Sequence, residues 1–214
     1  MSGISSRNKR EGYQKDVKMK EEQKSIAKAQ IDNSISLKEK IKSEEFVEKI
    51  VRLADEFTDC IKSGGKILLC GNGGSAADCQ HIAGELVVRL NSDSQREALP
   101  AIALTVNPSV VTASANDFGF ERIFSRQVEA LGRKGDCLLC ISTSGNSPNL
   151  LLACESAEKK GVKTFALLGK GGGKLKDIVD FSFLVPSNDT QRIQEVHITI
   201  GHILVLLIEK NLIA

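Results

Sequence analysis

The chain has 214 residues, of which 41% are apolar and 26% charged, as in one globular domain with a single core. A formal charge of +2 argues against a strongly cationic nucleic-acid binder, and the lack of Trp with a single Tyr argues against an aromatic sugar platform. The apolar runs are too short to span a bilayer, and the first residues lack the apolar segment of a signal peptide. We therefore expect a cytoplasmic protein that binds neither nucleic acid nor a membrane.

The N-terminal segment differs in charge from the rest of the chain. Residues 1–24 carry a net charge of +3, which leaves −1 for the remainder. We interpret residues 1–34 as a basic, flexible extension, with a nucleic-acid or partner arm as the alternative, and residues 35–214 as one domain.

Further along, helical and strand signals alternate. Apolar residues at helical spacing predict one helix over 35–62, ended by Gly64 and Gly65. Short apolar runs predict buried strands at 66–71, 100–105, 136–143, 163–169 and 181–186. Helical patterns lie between and after them, at 75–90, 108–115, 121–132, 147–160 and 190–212, and the glycine-rich 169–174 reads as a flexible loop. This alternation predicts an α/β fold whose five-stranded parallel sheet has helices on both faces.

The last predicted helix, 190–212, is apolar nearly all round. One face of a sheet cannot cover so much apolar surface. We therefore expect a homo-oligomer built partly on this helix and on the helix at 35–62.

Six cysteines include a C-x-x-C pair, Cys137 and Cys140, inside a predicted strand. Residues three apart on a strand point to opposite faces, so the two thiols are poorly placed to share a metal. We expect all six cysteines to be reduced and mostly packed in the core.

Two loops follow predicted strands and lead into helices: GNGGS (71–75) and STSGNS (142–147). Neither matches a dinucleotide-binding or Walker A sequence. Both offer backbone N–H groups and small polar side chains at a helix start, which suits an anion such as a phosphate. Ordinary helix capping is the alternative for either loop alone. Two such loops at the carboxyl edge of a sheet favour a ligand site.

The three histidines all lie on predicted helices. His81 and Glu85 are four residues apart and share a helix face. Gln194 and His202 lie along one slowly drifting face of the last helix, and His197 points to the other side of it. Spacing alone does not choose between His197 and His202 as a partner for the first pair.

Six strings carry a family resemblance: LLCGNGGSAAD, QHIAGEL, SANDFGFERIFSRQVEALGRKGD, ISTSGNSPN, GKGGGK and RIQEVHITIGHIL. Together they resemble the phosphoheptose isomerase family of sugar isomerase (SIS) domains, over about residues 40–214. The resemblance implies an aldose–ketose isomerase that converts sedoheptulose 7-phosphate to D-glycero-D-manno-heptose 7-phosphate through an enediol, for heptose and surface-glycan synthesis. It also implies a homotetramer with active sites between subunits.

The resemblance also assigns roles to residues. One zinc ion per subunit would be held by His81, Glu85, Gln194 and His202, which selects His202 over His197. Glu85 would be the catalytic base and His202 the acid. The residues implied to contact substrate are Asn72, Gly73, Gly74, Ser75, Glu85, Asn116, Asp117 and Gln194, with Ser142, Thr143, Ser144 and Ser147 on the phosphate.

Two other functions compete with this one. Some SIS relatives are not enzymes and bind a replication initiator; this chain keeps all four implied metal positions, which favours an enzyme. A different phosphosugar isomerase or an SIS-type sensor is the second alternative. Gly171 and Gln191 depart from the family pattern: many members have an acidic residue in the loop at Gly171, and some have Asp in place of Gln191.

Overall fold

The computed structural model describes residues 4–92 and 95–213, with side chains from residue 18 onward. Two compact units divide between Glu39 and Lys40. The first is formed by helix α1 (Ile4–Lys40). We expected a flexible extension here, but the segment is helical, because residues 13–40 contain neither Gly nor Pro and are rich in Lys, Glu, Gln and Ala. Residues 1–3 of that extension lie outside the described residues, and its flexibility and the boundary at residue 34 stay predictions.

The predicted single helix over 35–62 is wrong, because it contains a break. α1 ends at Lys40 and α2 (Glu44–Lys62) begins after a turn. Ser43 takes an extended conformation before two acidic residues, Glu44 and Glu45. Serine before a first turn with acidic side chains favours a new helix start at this point.

The predicted sheet is confirmed. Its five strands are β1 (Ile67–Gly71), β2 (Ala101–Ala103), β3 (Cys137–Ser142), β4 (Lys163–Leu168) and β5 (Phe181–Leu184). All pairs are parallel and the order is β2-β1-β3-β4-β5. Since the chain leaves β1 toward one side and β3 toward the other, the switch point between them is where open α/β sheets bind ligands.

Five further helices connect and follow these strands: α3 (Gly74–Val87), α4 (Pro108–Phe118), α5 (Ser125–Leu131), α6 (Pro148–Lys160) and α7 (Thr190–Ile213). Short 3-10 turns lie at Phe120–Arg122 and Leu175–Asp177. α5 and α6 pack on one face of the sheet. α2 covers the other face, where Phe57 meets Phe165 of β4 edge-on with ring centroids 5.1 Å apart, and α2 and α3 both pack against α7. Helices thus cover both faces, as predicted.

All six cysteines are free and buried. The C-x-x-C pair is divided by the sheet, as predicted. Cys140 Sγ lies 3.5 Å from the Sγ atoms of both Cys70 and Cys154, whereas Cys137 meets Cys60 of α2. Burial raises the pKa of the Cys70 thiol, so it stays protonated at neutral pH.

Among the described residues, α7 is the one helix whose length and composition would allow it to cross a membrane. It packs against α2 and α3 and contains Glu209, which is 3% exposed. These are features of the core helix of a folded domain. The expected homo-oligomer on α7 and α2 stays a prediction.

Candidate active site

Helices α3 and α7 run side by side in the same direction. His202 meets His81, 121 positions earlier, and Glu209 meets Leu90, 119 positions earlier. A Cβ on Gly201 would lie 2.6 Å from Ile82 Cδ1, so glycine is needed where the two helices touch. This close packing brings residues of α3 and α7 to one surface.

His81, Glu85 and His202 form a compact cluster on that surface. His81 Nε2 lies 3.0 Å from Glu85 Oε1 and 3.0 Å from His202 Nε2, and His202 Nε2 lies 3.4 Å from Glu85 Oε1. These three ligand-type atoms all lie within 4.8 Å of one another. The Glu85 side chain is 15% exposed, and its buried Oε2 has no hydrogen-bond partner. Two imidazoles and a carboxylate are a zinc-type donor set, so the residues fit such an ion.

His197, the other candidate from spacing, faces away from this cluster. It is fully buried, near the end of β4. Burial lowers the pKa of His197 to about 4, and neither of its ring nitrogens has a hydrogen-bond partner. The structure therefore brings His202, and not His197, to His81 and Glu85.

Gln194 takes a different place from the other three residues implied to bind metal. Its side chain lies over Gly74, where a Cβ would be 2.5 Å from Gln194 Nε2. Eight residues, or about 12 Å of helix, separate it from His202 along α7. This contact places the Gln194 amide over the start of α3, and its role as a metal ligand stays a prediction.

Asp78 is a nearby residue that the sequence analysis missed. It lies three residues before His81 on α3, and its buried Oδ2 has no hydrogen-bond partner. Burial raises the pKa of Asp78, and the charges of His81 and His202 oppose the rise. The i, i+3 spacing to His81 was the available signal.

The two anion-type loops lie next to each other at the switch point, after β1 and β3. Asn72 and Asn149 exchange two amide hydrogen bonds, of 3.0 and 2.8 Å, between them. Asn149 is 2% exposed and was missed, because an Asn after Pro148 reads as ordinary helix-start chemistry. Gly73 has φ +56° and ψ −123°, a conformation that glycine permits, and it precedes the first turn of α3. Ser75 is buried in that turn.

In the second loop, hydroxyls and backbone amides hold a tight turn. Ser142 Oγ accepts from Gly145 N at 3.0 Å, and Ser144 Oγ accepts from Asn146 N at 3.3 Å. Ser147 stands before α6 without capping it through its hydroxyl, which leaves that hydroxyl at the helix start. Thr143 lies half-buried in the same turn.

The segment 169–174, which we expected to be a flexible loop, is packed on the serine loop instead. Leu175 N donates to Gly145 O at 3.0 Å and Lys174 N donates to Asn146 Oδ1 at 3.1 Å. A Cβ on Gly173 would overlap the carbonyl of Ser144. The glycines are therefore explained by close backbone contact as well as by turn geometry.

Asn116 and Asp117 lie at the exposed end of α4, where Asn116 Nδ2 donates to Asp117 Oδ1 at 2.8 Å. The described contacts do not join them to the histidine cluster. Nearby, the turn after α4 contributes Phe120 to a cleft of about 450 Å³. The other residues of the cleft are Asn72, Glu121, Ser147, Pro148 and Asn149.

Comparisons with known proteins agree with the fold described above. The SIS domain family matches residues 31–169. A phosphoheptose isomerase of Clostridium acetobutylicum is 52% identical over 190 residues, which cover 88% of this chain and 96% of that protein. A phosphoheptose isomerase of Nitratiruptor is 58% identical over 153 residues, which cover 72% of this chain and 81% of that protein.

Solved structures are similar over nearly their whole length. A phosphoheptose isomerase from Neisseria gonorrhoeae has a TM-score of 0.81 and 42% identity, covering 88% of this chain and 98% of that one. One from Francisella tularensis has a TM-score of 0.83 and 37% identity, covering 87% and 97%.

Proposed function

Because the chain belongs to the phosphoheptose isomerase family of SIS-domain proteins, it is an isomerase that converts sedoheptulose 7-phosphate to D-glycero-D-manno-heptose 7-phosphate, and we propose that Glu85 and His202 carry its proton transfers. The single observation that supports these roles is the cluster of His81, Glu85 and His202. A carboxylate and an imidazole 3.4 Å apart can act on adjacent atoms of one substrate.

In the proposed reaction, the Glu85 carboxylate takes a proton from C1 of the ketose and returns it to C2 of the enediol. His202 moves a proton between the oxygens on C1 and C2. The burial of Glu85 keeps bulk water away from the proton that it holds. Such well-placed acid and base groups each contribute about 10²–10⁴-fold to the rate.

The phosphate end of the substrate is assigned to the two loops. Its oxygens would accept hydrogen bonds from backbone N–H groups at the start of α6 and from the hydroxyls of Ser142, Thr143, Ser144 and Ser147. Gly73, Gly74 and Ser75, at the start of α3, lie about 10 Å of helix before His81. That separation is on the scale of an extended seven-carbon chain, and Asn72 lies at its phosphate end.

We propose one zinc ion per subunit, held by His81, Glu85 and His202, with Gln194 as the fourth ligand. The unpaired, buried Glu85 Oε2 and the donor set support this proposal. When bound, such an ion supplies Lewis-acid polarisation of the substrate oxygens.

The assembly that we propose is a cytoplasmic homotetramer whose active sites lie between subunits, without a nucleic-acid or membrane partner. Phe118 and Phe120, 53% and 58% exposed, support it, because they stand beside Asn116 and Asp117 on a surface that another subunit would cover. In such an assembly these two polar residues would reach a substrate bound across the interface.

The deciding experiment is to incubate the purified protein with sedoheptulose 7-phosphate, with and without a chelator, and to follow the aldose by NMR. Conversion that the chelator abolishes supports the zinc proposal. Conversion that the chelator leaves unchanged removes zinc from the mechanism. No conversion, while another ketose phosphate reacts, would favour the alternative of a different phosphosugar isomerase.

A further inference from the structure

A buried ion pair lies beyond the histidine cluster, where α3 ends. Arg96 Nε donates to Glu209 Oε1 at 2.8 Å, and each side chain is only 4% exposed. Glu209 lies on α7, seven residues after His202, and Arg96 lies in the segment that leads to β2. A buried ion pair of this kind can hold two elements in one geometry. It does so only if the other N–H groups and oxygen atoms of the two side chains also have hydrogen-bond partners.

The other hydrogen bonds of this pair point to the end of α3. Arg96 Nη2 donates to the backbone carbonyl of Glu85 at 2.8 Å, and Leu90 N donates to Glu209 Oε1 at 3.2 Å. Leu99 N donates to the carbonyl of Leu86 at 3.1 Å. Carbonyls in the last turn of a helix have no hydrogen-bond donor within the helix. The segment after α3 supplies donors to two of these carbonyls.

The pair therefore links the backbone of Glu85 to α7, which carries His202. The contact of Gly201 with Ile82 sets how closely the two helices approach. Arg96 and Glu209 set their register further along, on the other side of the cluster. The distances among His81, Glu85 and His202 depend on both contacts.

We propose that Arg96 and Glu209 are positioning residues that hold Glu85 and His202 in the register at which the cluster binds metal and transfers protons. This inference rests on the function proposed above. Neither side chain touches the cluster itself; Arg96 acts through the carbonyl of Glu85 and Glu209 through Arg96. Outer-shell partners of this kind change metal affinity or activity by about 10–100-fold when they are lost.

The test uses two variants of the full chain. Arg96→Lys keeps a positive charge for Glu209 but lacks the planar fork needed to bond Glu209 and the Glu85 carbonyl together. The double variant Arg96→Met with Glu209→Leu replaces the ion pair by apolar groups, an exchange that often preserves stability, and still loses the bridge. Zinc affinity is measured without substrate, by competition with a chelating dye, and kcat and KM are measured for sedoheptulose 7-phosphate.

We expect both variants to bind zinc about tenfold more weakly and to lose about tenfold in kcat, with KM changed less than twofold. Asp136→Asn is the matched control, because Asp136 is 3% exposed and its carboxylate pairs with Lys66 and accepts from Arg133 N, between the starts of β1 and β3, and not with α3 or α7. It should lower the melting temperature and leave zinc affinity unchanged.

Two results would overturn the inference while the proposed function stands: wild-type zinc affinity and kcat in both variants, or an equal loss of affinity in Asp136→Asn. A wild-type protein that neither binds zinc nor isomerises the substrate would instead overturn the proposed function, and the inference with it.

Discussion

Asn72 and Asn149 join the two loops at the switch point of the sheet by exchanging a pair of amide hydrogen bonds. One asparagine follows β1 and the other lies in the first turn of α6, 77 positions later. Because each amide uses one donor and one acceptor on the other, the pair fixes the spacing of the loops. A phosphate that contacts both loops depends on that spacing.

Asn149→Leu should therefore weaken substrate binding. The change leaves the Asn72 amide without its partner and lets the loops separate, so we expect KM for sedoheptulose 7-phosphate to rise about tenfold with a smaller change in kcat. Steady-state kinetics checks this. Asn211→Leu is the control, because Asn211 is half-buried on α7 and its amide donates to Asp55 of α2 instead. An unchanged KM in Asn149→Leu would mean that the loops are positioned by other contacts.

Glu85→Gln should remove the proposed base with little effect on the fold. The amide keeps the size of the side chain but cannot accept a proton, so we expect kcat to fall by at least about 10²-fold. Turnover is followed by NMR and the fold by circular dichroism, with Glu155→Gln on the exposed face of α6 as the control. A variant that keeps more than about a tenth of the wild-type rate contradicts the assignment of Glu85 as the base.

The two histidines of α7 should separate function from packing. His202→Ala removes an atom of the cluster and should lower kcat by about 10²-fold. His197→Ala leaves a cavity beside β4, and it should cost about 2–4 kcal/mol of unfolding free energy with kcat changed only a few-fold. Kinetics on the folded fraction and urea unfolding distinguish the two. Comparable losses of kcat would show that His197 also acts in the reaction.

Most of the fold could be predicted from the sequence, because fully apolar runs such as that of β3 have one stable place, inside a parallel sheet. The site could be predicted only in part. Helical spacing places His197 and His202 on different sides of α7 but does not say which side faces α3. That choice is made by packing at Gly201, whose partner Ile82 is far away in sequence.

Other features of the site depend on contacts that a single sequence does not encode locally. Arg96 and Glu209 are 113 positions apart, and each alone resembles a surface charge. The glycines at 172 and 173 resemble a flexible loop in sequence. They are glycines because they pack against the backbone of the serine loop, at the carboxyl edge of the sheet, and that contact is not visible in the local sequence.

Gly173→Ala should disturb that contact and Gly171→Ala should not. Both glycines have positive φ, +56° and +82°, so both variants bear a conformational cost of about 1 kcal/mol. Only at Gly173 would the new methyl group overlap the carbonyl of Ser144; at Gly171 nothing lies within 4 Å. We expect KM to rise several-fold in Gly173→Ala alone. Equal KM values for the two variants would show that the contact between Gly173 and the serine loop does not contribute to phosphate binding.

Stability at mildly acidic pH should depend on His197. Burial lowers its pKa to about 4 in the folded protein, against 6.5 for the ordinary group. Above pH 6.5 the imidazole is neutral in both states. As the pH falls from 6.5 toward 4, the unfolded chain binds a proton that the native protein does not, so the free energy of unfolding decreases.

The expected loss from this group is about 2 kcal/mol between pH 7 and pH 5. Urea unfolding at both pH values measures it in the wild type and in His197→Gln, which cannot titrate. The decrease between the two pH values should be smaller in His197→Gln by that amount, whatever the stability of the variant at pH 7. If His197→Gln and the wild type lost the same free energy, the native imidazole would have to bind its proton as readily as the unfolded one, contrary to its burial beside β4.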